Sequence, residues 1–133
     1  MNAGRILREA GYDTEGLRVQ IAPVNPDRVN LLPASRFFRR FWSSGITGVT
    51  HGPFVFISPE VMNGDRDRLA RLVIHELVHV RQYRAAGYLR FVTTYLKDYW
   101  MGRIGGKSPR QAYLDIAQER EARDVTEQFL RLI

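Results

Sequence analysis

The sequence predicts one α+β domain over residues 1–133, a length that suits a single hydrophobic core. Two features indicate this class. Two runs rich in β-branched and aromatic residues, 46–53 and 54–57, are typical of a hairpin, and helical patterns dominate the chain after them. Apolar residues at 44% and charged residues at 26% are typical of a globular protein.

The longest predicted helix begins near residues 65 to 67 and ends at Ala86. Asp65 and Asp67 suit its N-terminus, where acidic side chains interact favourably with the helix dipole, and Gly87 suits its C-terminal end. Apolar residues surround this segment on several sides, as expected for a helix in the core: Leu69, Leu72, Val73, Ile74, Leu77, Val78 and Val80.

This helix contains the pattern His-Glu-x-x-His, formed by His75, Glu76 and His79. Residues four apart lie on one face of a helix, so both imidazoles can reach the same ion while Glu76 lies beside it. The alternative is a helix with two surface histidines and an ion-paired glutamate. The apolar flanks argue against that alternative, because buried His and Glu side chains need partners and a metal ion supplies them.

A bound zinc ion would explain why two histidines and a glutamate occur in this pattern. It binds neutral imidazole nitrogens, its catalytic sites commonly use three protein ligands, and it lowers the pKa of a bound water from about 16 to about 7. Glu76 is predicted to take a proton from that water and pass it to the leaving amine. Because the sequence has no cysteine, the third protein ligand is expected to be His, Asp or Glu.

The third ligand is expected from the last predicted helix, which Ser108 and Pro109 open and which continues to about residue 132. Its dense acidic cluster contains Glu119 and Glu121. Helical periodicity does not choose between the two glutamates. The alternative is that both are exposed partners of nearby arginines.

A helix rich in aromatic residues is predicted between these two, over residues 88–101, with Gly102 at its end. Tyr95, Tyr99 and Tyr113 are candidates for stabilising an oxyanion at the site. The alternative is that they are core residues, as most aromatic residues on helices are.

Shorter elements are predicted before the hairpin. Residues 2–10 predict a helix, and residues 17–21 alternate apolar and polar side chains, which predicts a half-buried strand that ends before Pro23. A loop is expected after it, with a further break at Pro33, and residues 43–45 predict a turn.

One strand of the hairpin is expected to form a wall of the substrate cleft, since extended peptides can pair with a strand beside the metal helix. His51 lies next to Gly52 and Pro53 and is predicted to be a surface or hydrogen-bonded residue rather than a ligand. Ser58 and Pro59 then predict the start of a short helix.

The net charge of +6 comes almost entirely from arginine and suits an anionic partner such as nucleic acid, lipid or acidic protein. The alternative is a solvated basic surface. Residues 36–42 interleave arginines with aromatic residues, which suits contact with an anionic membrane or nucleobases. An amphipathic segment whose rings pack on the core is the alternative.

The first ten residues lack the pattern of a signal peptide, and no apolar run approaches the roughly 20 residues that span a bilayer. The sequence therefore predicts a soluble chain without a transmembrane segment, made for the cytoplasm. Export without a classical signal stays open.

The chain resembles the gluzincin type of zinc metallopeptidase, in which a glutamate on a later helix completes His-Glu-x-x-His. More narrowly, GVTHGPFVFI at 48–57 and HELVHVRQ at 75–82 resemble the peptidase core domain associated with extracellular contractile injection systems. The resemblance covers residues 17 to about 83, and EREA at 119–122 is similar to a wider set of small gluzincins. It implies a zincin-like fold with a small twisted sheet on the metal helix and two C-terminal helices. It also implies Glu119 as the third ligand, with Glu121 as the alternative.

One departure concerns the residue that orients a histidine. Thermolysin-like enzymes have an aspartate four residues after the ligand glutamate, whereas this sequence has Arg123 there and Asp124 one residue later. The sequence therefore assigns no such partner, although metal-bound histidines usually have one.

These observations predict a Zn²⁺-dependent metallopeptidase acting on a peptide or protein substrate, with His75, His79 and Glu119 holding the metal and Glu76 catalytic. One alternative is a catalytically idle zincin-fold binding module of a secretion or injection apparatus. Another is a basic binder of nucleic acid or membrane surfaces in which zinc is structural. An open metal position favours an enzyme, and a fourth protein ligand favours the structural role.

Overall fold

The computed structural model describes residues 1–39 and 46–131, except for the side chains of residues 37 and 38. Helices predominate in these residues: α1 (Ala3–Glu9), α2 (Thr14–Gln20), α3 (Arg36–Arg39), α4 (Pro59–Met62), α5 (Arg66–Ala86), α6 (Tyr88–Ile104), α7 (Pro109–Leu114) and α8 (Ala117–Arg131). A 3-10 helix spans Pro26–Arg28. The strands are β1 (Leu31–Pro33), β2 (Gly48–His51) and β3 (Phe54–Ile57). The predicted α+β class is confirmed.

Helix α5 is the centre of the fold, with the bounds that the sequence predicts. The Asp65 side chain accepts a hydrogen bond from the Asp67 backbone N–H, which caps the first turn. Gly87 follows the last turn at φ 86°, a conformation that favours glycine. Both sheet strands of the hairpin and four helices pack against α5: α1, α4, α6 and α8. The core therefore surrounds the helix that contains the metal motif.

The three strands form a mixed sheet in the order β1-β3-β2. Strands β2 and β3 are antiparallel, with Val49 opposite Phe56, so the predicted hairpin is present. Strand β1 runs parallel to β3 on its other side. The sequence does not predict β1, but the strand ends at Pro33, where a break is predicted. An edge strand tolerates proline because the missing N–H breaks no ladder bond inside the sheet.

The strand predicted over residues 17–21 is wrong, because these residues belong to the helical segment of α2 and its C-terminal cap. The Asp13 side chain accepts hydrogen bonds from the backbone N–H groups of Glu15 and Gly16, which starts the helix. Leu17 and Ile21 are fully buried, whereas Val19 between them is 79% exposed. Burial at positions four apart is the helical pattern, and five alternating residues were too few to separate it from a strand.

The C-terminal part contains three helices after α5 in the described residues, rather than the predicted two. Helix α6 continues through Gly102, where an added Cβ would lie 3.2 Å from the Cβ of Ala112 on α7. Glycine there permits close packing of the two helices instead of ending one. The long helix predicted from residue 110 is interrupted between α7 and α8, where Ile116 is buried and the Asp98 carboxylate accepts from the Ala117 backbone N–H at 3.0 Å.

Two predictions lie outside the described residues: the turn at 43–45 and the packing of the aromatic rings in 36–42. The short helix predicted at Pro59 is present as α4, and Arg39 forms an ion pair with Glu60 there at 2.9 Å. Within residues 1–39 and 46–131, no helix combines the length and apolar character needed to span a bilayer.

Candidate metal centre

Helices α5 and α8 bring His75, His79 and Glu119 into one cluster, in which the potential ligand atoms all lie within 4.8 Å of one another. The Nε2 atom of His75 lies 2.9 Å from Glu119 Oε2, and the Nε2 atom of His79 lies 2.8 Å from Glu119 Oε1. One carboxylate therefore bridges both imidazoles. The cluster is largely buried, with Glu119 and His79 each 4% exposed.

The structure separates the two glutamates that periodicity left equivalent. Glu119 faces the histidines, whereas Glu121 is exposed and pairs with Arg81 at 3.0 Å. His51 lies exposed at the end of β2, with its ring at the edge of the Phe56 ring, and is not part of the cluster.

Two tyrosines complete the surroundings of Glu119. The Tyr95 hydroxyl donates to Oε1 at 3.1 Å, and the Tyr113 hydroxyl donates to Oε2 at 3.2 Å. Burial and the charge of Glu119 raise the pKa of both hydroxyls, so they remain protonated donors. Burial alone would raise the pKa of Glu119, but the hydrogen bonds and charge of His75 and His79 outweigh it and hold that pKa well below its usual range. Glu119 is therefore an anion.

Gln82 orients His79. Its side-chain nitrogen donates to the Gln118 carbonyl at 3.1 Å and to Glu121 Oε1 at 3.0 Å, so its oxygen is the atom 2.7 Å from His79 Nδ1. That oxygen can only accept, which places the hydrogen on Nδ1. The neutral ring then presents the lone pair of Nε2 to Glu119, as a metal ligand requires.

The contact between His79 and Glu119 needs a positive charge. Although Nε2 lies 2.8 Å from the carboxylate, it is buried and has no hydrogen bond of acceptable geometry to any described residue. In the neutral tautomer, two lone pairs would face each other at this distance. Burial lowers the pKa of His79, but Glu119 more than offsets this effect, and the pKa rises to about 9. A proton on His79 would then supply the positive charge. A divalent cation supplies it equally well, and two imidazoles with one carboxylate are a donor set that zinc binds. The residues fit a metal ion.

Strand β2 positions Glu76. The Thr50 hydroxyl donates to Glu76 Oε2 at 2.6 Å, and both side chains are buried. An added Cβ at Gly48 would lie 3.2 Å from Glu76 Oε1 and equally close to Leu72 and Ile57, so glycine allows this close approach of β2 to α5. One oxygen of Glu76 is therefore held by Thr50 and the other lies beside a residue without a side chain.

A cleft of about 930 Å³ exposes the centre to its surroundings. His75 and Glu76 line it from α5, Gly48 lines it from β2, and Tyr99 lines it from α6. A smaller cavity of about 90 Å³ is lined by His79, Glu119 and Thr50 among others, and it shares Glu76 with the cleft. Molecules in the cleft can thus reach His75 and Glu76, whereas His79 and Glu119 line the smaller cavity.

Comparisons with known proteins give no relative. No protein-family model matches the chain, and no curated protein or solved structure matches it either. The functional argument for this centre therefore depends on the geometry and chemistry of its own residues.

Sequence reasoning named Tyr95 and Tyr113 at the site but assigned no role to Gln82 or Thr50. Gln82 lies three residues after His79 on the same helix face, which was an available signal. Thr50 lies in a strand whose inward side chains were not assigned. Arg123 donates through Nη2 to the Leu114 carbonyl and thus joins α8 to α7.

Proposed function

We propose that the protein is a zincin-like, zinc-dependent metallopeptidase that hydrolyses peptide bonds in a peptide or protein substrate. The observation that carries the proposal is the convergence of His75, His79 and Glu119 beside Glu76 at an open cleft. Within residues 1–39 and 46–131, no fourth His, Asp or Glu belongs to the cluster. Three donors suit a catalytic zinc, whereas structural zinc sites commonly have four protein ligands.

His75, His79 and Glu119 would hold the ion. Bound zinc would lower the pKa of a water molecule and polarise the carbonyl group of the substrate. Glu119 already carries the negative charge that a ligand needs, and Gln82 fixes the tautomer of His79. Tyr95 and Tyr113 restrain the carboxylate. A role of Tyr95, Tyr99 or Tyr113 in stabilising an oxyanion stays a prediction.

Glu76 is the proposed proton carrier. In this role its carboxylate takes a proton from the attacking water and delivers it to the nitrogen of the leaving amine. The hydrogen bond from Thr50 to Oε2 fixes the rotamer of Glu76. The other oxygen, Oε1, lies close to Gly48, which has no side chain. Burial of the carboxylate strengthens its interactions with charges that develop during the reaction.

The cleft supports a peptide as the substrate. Strand β2 is outermost in the sheet of the described residues, and Gly48 at its start lines the cleft. The outer edge of such a strand can pair with an extended peptide backbone. A volume of about 930 Å³ is at the upper end of the range for small-ligand pockets and accommodates several side chains.

The test is a comparison of the zinc-loaded protein with its Glu76→Gln variant on a mixture of peptides, with products identified by mass spectrometry. We expect the variant to keep its zinc and to lose about 100-fold to 10,000-fold in hydrolysis rate, as for removal of a general base. Glu127→Gln is the matched control, because Glu127 is exposed and lines the same cleft outside the metal cluster.

Two results would contradict the proposal. A Glu76→Gln variant that hydrolyses peptides at the original rate would remove Glu76 from the mechanism. Zinc-loaded protein that cleaves no peptide, while still binding peptides in the cleft, would instead support the idle binding module.

A further inference from the structure

Helix α6 has an apolar surface that the fold does not cover. Of its seventeen residues, all of which the structure describes, Phe91 alone is buried. Six large apolar or aromatic side chains on this helix are between 49% and 81% exposed, and together they are called the α6 face here: Tyr88, Leu89, Leu96, Trp100, Met101 and Ile104. Single exposed apolar residues are ordinary, but a group of this size on one helix marks an interaction surface.

The spacing of these residues makes the α6 face continuous. Leu89, Leu96, Trp100 and Ile104 follow one another at steps of seven, four and four residues, so they form a stripe along one side of the helix. The buried residue Phe91 lies on a different side and packs on Tyr83 and Tyr95. The stripe therefore points away from the metal centre and is not needed for the packing of α6.

The charges around the α6 face are predominantly basic. Helix α6 contains Arg90, Lys97 and Arg103, all exposed, and a single acidic residue, Asp98. The Asp98 carboxylate accepts a hydrogen bond from the Ala117 N–H and is thus directed to the start of α8. A partner that covers the apolar stripe meets cations along its sides.

A second basic feature lies at the N-terminal end of the same helix. A pocket of about 570 Å³ is lined by Tyr88 of the α6 face and by Arg18, Arg28 and Arg84, and none of the described residues that line it is acidic. Arg84 donates to the Pro23 carbonyl. The side chains of Arg18 and Arg28 are exposed and have no hydrogen-bond or ion-pair partner in the described parts of the chain, so their guanidinium groups remain available to an anion. We call this site the arginine pocket.

We propose that the α6 face and the arginine pocket together bind the surface of an anionic lipid membrane. The apolar side chains lie at the boundary of the acyl chains, and the guanidinium groups contact lipid phosphates, for which their fork of N–H donors is suited. A Trp, Leu and Ile stripe flanked by Arg and Lys is typical of a helix that lies in the membrane interface. A second copy of the chain is disfavoured as the occupant, because it would bring basic flanks of the same sign together. The proposal does not depend on peptidase activity.

The apolar part is tested by flotation of the full chain with vesicles of phosphatidylcholine alone or mixed with phosphatidylglycerol. We expect binding to the mixed vesicles that weakens with added salt, and little binding to phosphatidylcholine. The double variant Leu96→Gln/Trp100→Gln is expected to bind at least about tenfold more weakly, because it removes apolar area from the contact. Val19→Gln, which changes a more exposed apolar residue on α2, is expected to bind like the unaltered chain.

The charged part is tested with Arg18→Glu/Arg28→Glu, for which we expect binding weakened about tenfold or more. The control, Arg68→Glu/Arg131→Glu, makes the same change of net charge at exposed positions outside the α6 face and the arginine pocket. Circular dichroism confirms that each variant is folded.

The proposal is overturned if the unaltered chain does not float with the mixed vesicles. Equal loss of binding in the Arg68→Glu/Arg131→Glu control would overturn it as well, because net charge alone would then explain the attraction. A dimer in solution that Leu96→Gln/Trp100→Gln dissociates, without vesicle binding, would assign the α6 face to a second copy of the chain.

Discussion

At the scale of single residues, His79 shows most clearly how the centre is arranged. Gln82 accepts from its Nδ1 atom, the ring edge packs against Phe91, and Glu119 faces its Nε2 atom. The ring therefore cannot rotate or exchange its tautomer without losing its hydrogen bond to Gln82.

This arrangement predicts that Gln82→Leu weakens zinc binding. The substitution leaves the Nδ1 hydrogen without its acceptor and removes the hydrogen bonds of Gln82 to Gln118 and Glu121 on α8. We expect a dissociation constant for zinc about 10-fold to 100-fold higher, measured by competition with a chelator. Gln128→Leu, at an exposed position on α8, serves as the control. Equal affinity in Gln82→Leu and the unaltered protein would show that the tautomer needs no such support.

The residues of the centre differ in how far the sequence predicts them. His75, Glu76 and His79 follow from a spacing of four on one helix, which is a local property. Glu119 required the resemblance to gluzincins, because periodicity on α8 fitted Glu121 equally well. Thr50 was out of reach, since its contact with Glu76 depends on how closely β2 approaches α5.

At the scale of elements, the position of Glu119 depends on where α8 begins. Glu119 lies in the first turn of α8, and the Ala117 N–H at the start of this helix is bound by Asp98 from α6. A carboxylate at a helix N-terminus satisfies a free backbone donor and interacts favourably with the helix dipole.

We predict that Asp98→Ala lowers the free energy of unfolding by about 1 kcal/mol, as expected for loss of a helix cap. Urea titration measures the change. Asp98→Asn is the matched variant, because an amide oxygen can still accept the hydrogen bond, and it is expected to retain most of the stability. If Asp98→Ala and the unaltered protein unfold at the same midpoint concentration of urea, Asp98 does not stabilise α8.

Asp98 also shows why the bounds of some elements were predicted more accurately than those of others. Helix α5 and the hairpin have their caps, turns and apolar patterns within their own segments, and both were predicted with nearly correct bounds. The interruption between α7 and α8 depends on Asp98, Ile116 and the contact of Arg123 with the Leu114 carbonyl, which are tertiary interactions. No local pattern in the last helix contained that information.

At the scale of the whole molecule, the metal would join the central helix to the last one. His75 and Glu119 are 44 residues apart in the sequence, and Glu119 also accepts hydrogen bonds from Tyr95 on α6 and Tyr113 on α7. An ion that binds only the folded chain stabilises the entire fold, by about 2.7 kcal/mol at a concentration 100 times its dissociation constant. Thermal unfolding with and without zinc is therefore a readout of the same contacts as metal analysis.

The most direct measurement is the zinc content of the purified protein beside its Glu119→Ala and Glu121→Ala variants, with the melting temperature of each recorded. We expect one zinc per chain in the unaltered protein and in Glu121→Ala, together with a melting temperature that falls when a chelator is added. Glu119→Ala is expected to lose the metal and its response to the chelator. Full zinc content in Glu119→Ala would contradict the assignment of this centre.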